Sequence, residues 1–358
     1  MTSDMPLSTA ELKRLRNVVA QIRQRPNLVK TGDKAFYDPV RDGVTFSVLS
    51  GFRRCKELSR LNLKGVTSRG SSAAIVFGTI AHGALQAVYD AVRTKRLPVG
   101  VPSREYVHGV LRATEATWKR ENPRASQDTL KFLEFSMLLA ESVLPRYFTY
   151  WSDDFTGKVK WLNLEREFRI PVKVPVHWQS TPFKTFIRGK MDGNFRDHGL
   201  RLLETKTKSH IDDETISSIL PYELQVNIYL WAMRRLHKER PAGVRYNLIR
   251  RPQLRQSKKE TLDQFARRCV SDVFARPDWY FMRLDMDVNE QDLAAFEGDF
   301  MDLLADFLGW WYGHDGHYKN SDQCENKYGK CHYLPLCGRR EFATFYTREK
   351  VFRELEEF

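Results

Sequence analysis

The clearest strand signals in the chain are two alternating runs within 186–206, FIRGKMDGNF and LRLLETK, separated by Asp197-His198-Gly199. An acidic residue, a polar one and a glycine between such runs predict a hairpin, with Gly199 supplying the positive φ of a tight turn. Upstream, 159–174 carries Trp161, Leu162 and Leu164 and then Phe168, Ile170 and Val172. This reads as a strand that pairs with the hairpin to start a central sheet. Val244 to Ile249 reads as another strand, and so do Tyr280, Phe281, Arg283 and Leu284.

Helical spacing accounts for most of the rest. Within 71–93, Phe77, Ala81, Leu85, Val88 and Val92 form one stripe, with His82 beside it. Residues 104–150 keep a long polar–apolar period up to Pro145 and predict a helical insertion at about 100–155. A polar loop is expected over 207–220, then a helix from near Pro221, a residue suited to a first helical turn. Further helices are expected over 289–311 and after Glu260 and Thr261. A short one, capped by Ser47 or Ser50, carries Phe52 and Cys55. Over 1–30, Ser8 or Thr9 caps a stripe of Leu12, Leu15, Val18, Val19 and Ile22 whose other face is basic.

At 358 residues the chain can bury a large core, as one elaborated domain or two intimate ones. Lys and Arg number 58 against 45 Asp and Glu, a net charge of +13 spread along the chain, which favours a basic groove and a polyanionic partner. Nucleic acid comes first and an anionic membrane second. No apolar run approaches the ~20 residues that span a bilayer. The N-terminal stretch lacks the apolar core of an export signal, so a cytoplasmic location is expected. In that setting the five cysteines point to thiols or metal ligands rather than disulfides. Three fall in one short segment, Cys324-x6-Cys331-x5-Cys337, while Cys269 lies within a helical stretch.

Charged groups converge at the hairpin. Glu204 and Lys206 are two apart and share one face of a strand, and pairing brings Asp192 beside them. Two carboxylates and an ammonium can hold a hard divalent cation next to a charged base or electrophile. The basic run Arg250, Arg251, Arg255, Lys258 and Lys259 is either a solvated face or a surface that neutralises phosphates.

Here the chain resembles a known family. GKMDG followed by ETK is similar to the D…ExK core of the PD-(D/E)XK nuclease superfamily, in its RecB-like exonuclease branch. FGTIAH resembles that branch's G-x-x-x-H helix, and QVNIY its Q-x-x-x-Y motif. The four segments fall in the family's order.

The resemblance implies an α/β fold, a restriction-endonuclease-like core with a mixed central sheet flanked by helices. It places a nuclease domain over 44–340, after a helical segment at 1–43 and before a helical tail at 341–358. It implies metal-dependent hydrolysis of DNA phosphodiester bonds, in exonuclease fashion. His82, Asp192, Glu204 and the backbone carbonyl of Thr205 would hold Mg²⁺ or Mn²⁺. Lys206 would position or deprotonate water, or stabilise the phosphate. Gln225 and Tyr229 would steady Lys206 and contact the DNA backbone, with Arg250 and Arg251 as further substrate contacts. Gly78, one turn below His82, would leave room for a metal or phosphate. Glu165 and Glu167 resemble an acidic position on the family's first strand, or serve the surface.

Cys55 with the three C-terminal cysteines resembles the iron–sulfur arrangement of AddB-like helicase–nucleases and CRISPR-adaptation nucleases. It implies a [4Fe-4S] cluster on Cys55, Cys324, Cys331 and Cys337. The spacing departs from the commoner pattern and leaves zinc open, including a Cys3His set through His332 or His317. Recombination, repair, or phage or defence DNA processing would be the setting. The chain has no G-x-x-x-x-G-K-[ST], so unwinding would come from a partner, a helicase or a single-strand-annealing recombinase. The alternatives are a non-catalytic DNA-binding iron–sulfur module and a redox iron–sulfur enzyme.

Overall fold

The computed structural model describes residues 37–68, 73–123, 125–326, 329–339 and 345–347, with 9, 10 and 13 near the N-terminus. The expected helix over 1–30 lies almost wholly outside them. In chain order come α1 (Phe46–Arg54), α2 (Lys56–Leu63), β1 (Val66–Ser68), α3 (Ala73–Arg93), α4 (Arg104–Glu121) and α5 (Gln127–Tyr150). Then follow β2 (Lys160–Val174), β3 (Phe183–Arg196), β4 (Leu200–Lys208), α6 (Asp213–Ile219) and α7 (Leu224–His237). Beyond short helical turns such as Pro277–Tyr280, next come β5 (Gly243–Arg250), α8 (Leu262–Ala275), β6 (Phe281–Asp287), α9 (Glu290–Trp311), β7 (Glu325–Asn326), β8 (Gly329–Lys330) and β9 (Phe345–Thr347).

A five-stranded mixed sheet runs in the order β2-β3-β4-β5-β6. β3 and β4 are antiparallel, β4 and β5 parallel, and β5 and β6 antiparallel. A parallel pair needs a crossover, and here it is made through α6 and α7. The chain divides into two compact units. One holds Gly70–Glu167 and Lys190–Leu293. The other holds Met1–Arg69, Phe168–Gly189 and Ala294–Phe358.

The core of the first unit joins Phe77, Leu85 and Val88 of α3, Leu111 of α4, Leu144 and Phe148 of α5, and Phe195, Leu203, Ile249 and Phe281 of the sheet. The predicted insertion is thus two helices built into that core. Ser103 and Ser126 start them, each side chain accepting a backbone N–H of the first turn. By length and composition Ala74–Arg93 could cross a membrane, contrary to expectation. Here α3 is a core helix, with Val76, Ile80, Ala81, Ala84 and Val88 buried. In the second unit Tyr37 and Phe52 pack edge-on against Phe307.

Local expectations fail where tertiary contacts override them. Gly199 does not have the positive φ predicted for it. A Cβ there would meet Ala242 Cβ at 2.7 Å, so close approach, not turn geometry, requires glycine. Thr45, not Ser47 or Ser50, caps α1, and Cys55 ends that helix and precedes the next. The expected loop over 207–220 is the end of β4 followed by α6, which Asp212 caps. Pro221 lies in a 3₁₀ turn, and Glu223 caps α7 by accepting the Val226 N–H at 2.8 Å. Within the expected helical tail, Phe345–Thr347 is a strand paired with β1; the rest lies outside the described residues.

Candidate active site

The register of β3 on β4 ends at Gly193–Leu203, while β4 stays paired with β5 as far as Lys208. The two hairpin strands therefore splay where the charged residues lie. Asp192 Oδ2 accepts the Thr205 N–H at 2.7 Å instead of a ladder bond. Within a strand the N–H and C=O of one residue point to the same edge, so the Thr205 carbonyl shares the edge on which Asp192 lies.

β2 crosses close behind. A Cβ on Gly193 would meet Leu164 Cδ2 at 2.9 Å and Asn163 O at 3.3 Å. The next residue, Glu165, has φ 47°, left-handed backbone that a non-glycine residue adopts at a cost of roughly 1–3 kcal/mol. Its ligand oxygen, one on Asp192 and a ring nitrogen of His82 lie within 4.8 Å of one another. His82 Nδ1 is 3.6 Å from Asp192 Oδ2, and Lys190 Nζ is 2.6 Å from Glu165.

Glu204 is buried. Its Oε1 accepts Lys206 Nζ at 2.5 Å, and its Oε2 has no hydrogen-bond partner among the described residues. Lys206 Nζ also donates to Gln225 Oε1 at 2.6 Å, and Gln225 Nε2 donates to Tyr229 OH at 3.1 Å. One turn of α7 separates Gln225 from Tyr229, so the two fix each other and then the lysine.

The charges are mutually tuned. Burial alone would raise Asp192, but His82, the Thr205 N–H and Lys206 hold it below its usual value. Burial opposes a charged His82, yet Asp192 and, more weakly, Glu165 and Glu204 raise it. Glu165 is raised by burial and by Asp192, against Lys190. Burial and the Asp192 charge push Glu204 up to about 8, against the pull of Lys206. Lys206 is raised despite burial, because Glu204 sits against it. A close set of acidic groups, met among the described residues by Lys206, Lys190 and His82, favours a bound cation.

Asp192, Glu204 and Lys206 thus lie together as their spacing suggests, and His82, Gln225 and Tyr229 lie beside them as the resemblance implies. Glu165 joins His82 and Asp192 in the compact donor set, whereas Glu204 turns to Lys206. The sequence carries no signal that sets Glu165 apart: Leu162, Leu164, Phe168 and Ile170 keep one alternation, and only the burial pattern changes parity between Trp161 and Phe168. Tyr246 has no signal in the sequence either. It lies opposite Glu204 across β4–β5, and burial, with Glu223, Glu204 and Asp192, lifts its phenol to about 12.

Two expectations are corrected. The space left by Gly78 is taken by Thr207, whose Oγ1 a Cβ would meet at 3.1 Å, so this glycine lets α3 approach β4. Arg250 is not a surface phosphate contact. It is buried, donates to Trp279 O at 2.8 Å and Ile211 O at 3.1 Å, and stacks on Trp279. Arg251 is half-buried beyond the end of β5.

In the other unit, Cys55, Cys324, Cys331 and Cys337 line one cavity together with Leu58, Tyr333 and Leu334. The antiparallel β7–β8 pair brings the Cys331 N–H onto Cys324 O at 2.8 Å, and Asn320 N donates to Cys55 Sγ at 3.4 Å. Burial lifts the Cys337 thiol to about 11. Both ring nitrogens of His317 are engaged, Nδ1 by Trp310 and Nε2 by Glu57, and His332 does not line the cavity. A Cys3His set is therefore not assembled. Cys269 is buried in the core of the first unit.

The model of the PD-(D/E)XK nuclease superfamily matches residues 44–338. The structure is similar to one from Eubacterium rectale, provisionally described as an exonuclease, at 12% identity and TM-score 0.43, covering 87% of this chain and 94% of that one. It is also similar to the structure of SSO0001, at 10% identity and TM-score 0.24, covering 83% and 87%. The comparison with curated proteins finds no match.

Proposed function

The chain belongs to the PD-(D/E)XK nuclease superfamily, and from that premise we propose that it is a metal-dependent deoxyribonuclease of the RecB-like branch, working from DNA ends. One observation carries this: Lys206 Nζ is clamped between Glu204 and Gln225 beside the donor set of His82, Glu165 and Asp192. The donors are hard oxygens and one imidazole, which suits Mg²⁺ or Mn²⁺, and the unpartnered Glu204 Oε2 offers a further ligand. When bound, the ion supplies charge to neutralise the phosphate and makes a water more acidic.

The protein's own groups do the rest. His82, Glu165, Asp192, Glu204 and the Thr205 carbonyl would hold the cation. Lys206, donating to Glu204 and Gln225, would orient water or stabilise the phosphate oxygen. Gln225 and Tyr229 keep its ammonium aimed. The net charge of +13 supplies sequence-independent affinity for DNA that weakens steeply with salt. The four cysteines lining one cavity are the support for the proposed [4Fe-4S] cluster, with zinc as the alternative. Recombination, repair or defence is the setting we propose, with a helicase or annealing recombinase supplying single strands.

The test is cleavage of end-labelled single- and double-stranded DNA with Mn²⁺, Mg²⁺ or EDTA. Mononucleotide or short products released only with a divalent ion are expected; no cleavage under any condition would overturn the proposal and favour a binding module.

Metal affinity is expected to depend on pH. Glu204 and His82 are raised above their ordinary values and must release protons to bind a cation. Mn²⁺ binding should therefore tighten as pH rises through about 8 and release protons. In the metal-free protein the sign reverses for stability: a raised carboxyl favours folding while protonated, and that contribution is lost as pH rises through about 8. Calorimetry in buffers of different ionisation enthalpy measures the protons, and melting with and without Mn²⁺ measures the stability. Proton-independent binding would contradict this account.

A further inference from the structure

A buried polar chain runs behind the strand that carries Glu204 and Lys206. Side chains alternate along β4, so Thr205 faces away from those two. Its Oγ1 accepts from Asn247 Nδ2 at 3.3 Å; Asn247 is its register partner on β5. The same Nδ2 donates to Tyr147 OH at 2.8 Å, and Asn247 Oδ1 accepts from Arg283 Nε at 3.2 Å. Arg283 closes on Asp154, NH1 to Oδ1 at 3.0 Å. Tyr89 OH donates to Asp154 Oδ2 at 2.6 Å and lies 3.0 Å from Tyr147 OH. Asn247 is 0% exposed and Asp154 1%.

Nothing in the cleavage chemistry uses these groups, and burying an ion pair is expensive, by several kcal/mol per ion. Apolar residues of the same volume would stabilise the core as well or better. What apolar packing cannot do is fix direction. Tyr89 lies seven residues, about two turns, beyond His82 on the same face of α3. At the other end Thr205 sits between Glu204 and Lys206. The chain thus ties together the two elements that bring the imidazole and the carboxylate–lysine pair.

We infer that the Asp154–Arg283 pair, acting through Tyr89 and Asn247, is a positioning strut that sets the spacing of His82 against Glu204 and Lys206. Tyr89, Asn247, Asp154 and Arg283 lie outside the donor set of His82, Glu165 and Asp192 and are positioning residues. The inference rests on the metal site proposed above.

The experiment is a Mn²⁺ titration by calorimetry, with cleavage kinetics alongside, for wild type, Asn247→Leu, Tyr89→Phe and the control Tyr37→Phe. The control removes a buried hydroxyl, the one donating to Gly43 O, in the other unit. Loss of outer partners of metal ligands typically costs about 10- to 100-fold in metal affinity or activity. Asn247→Leu and Tyr89→Phe are expected to weaken Mn²⁺ binding and lower kcat by that factor with KM for DNA unchanged, while Tyr37→Phe alters none of these. If both variants match a wild type that binds Mn²⁺ and cuts DNA, the strut is overturned and the site stands. If wild type binds no Mn²⁺, the metal site falls and the strut with it. Should Asn247→Leu not fold, Tyr89→Phe decides alone.

Discussion

Replacing Lys206 by alanine is expected to slow DNA cleavage by on the order of 10²- to 10⁴-fold, the span associated with losing one acid–base or charge-stabilising group. The lysine is the one ammonium held against the site's buried carboxylate, so no other described side chain bonded to Glu204 can take its place. Asp192→Asn should cost at least as much by a different route. It removes the charge that His82 and the Thr205 N–H are arranged around, and Mn²⁺ affinity should fall together with kcat. Lys206→Ala, by contrast, should keep Mn²⁺ binding, because Glu204 then lacks its competing partner. Single-turnover kinetics and a Mn²⁺ titration on both variants separate the two roles. If both cleave at the wild-type rate, the chemistry lies elsewhere in the chain.

The second large effect is expected at the cysteines. Cys55 and Cys324 enclose more than two hundred residues, and tying such a loop restricts the unfolded chain by about 5 kcal/mol on the chain-entropy model. Whole domains are stable by only about 5–15 kcal/mol, so a cluster there, as proposed, would decide whether its unit stays folded. Cys55→Ser or Cys324→Ser should abolish bound iron and sulfide, about four of each per chain when the cluster is full. Melting should fall by roughly 10–20 °C. Anaerobic purification with iron and sulfide analysis, followed by melting, measures both. Stoichiometric zinc in place of iron would refute the cluster, and unchanged melting of the serine variants would refute the clasp.

Much of the site is legible in the amino-acid sequence. Asp192, Glu204 and Lys206 sit on alternating strands joined by a short turn, and strand alternation needs no tertiary knowledge to put Glu204 and Lys206 on one face. Gln225 and Tyr229 are legible for the same kind of reason, a one-turn spacing on a helix. Glu165 is visible as an acid on a strand, but its place in the donor set depends on a left-handed residue that re-aims β2. Arg250 fails in the opposite direction. A basic run looks like surface, yet this arginine stacks on Trp279, a residue distant in sequence, and is buried there. Gly78 and Gly199 read locally as a gap for a ligand and a turn, when each is small because another segment, at Thr207 or Ala242, passes close by.

The chain's own pattern determined the strands, the principal helices, the net positive charge and the local pairing of the proposed catalytic side chains, because periodicity and short spacing are properties of contiguous residues. Only the tertiary structure decided that β3 and β4 splay at Asp192, that Glu165 rather than Glu204 closes on His82, and that a buried Asp154–Arg283 pair stands behind the active strand. Those depend on which segments meet across the sheet, and such meetings are set by packing over long separations that no local pattern encodes.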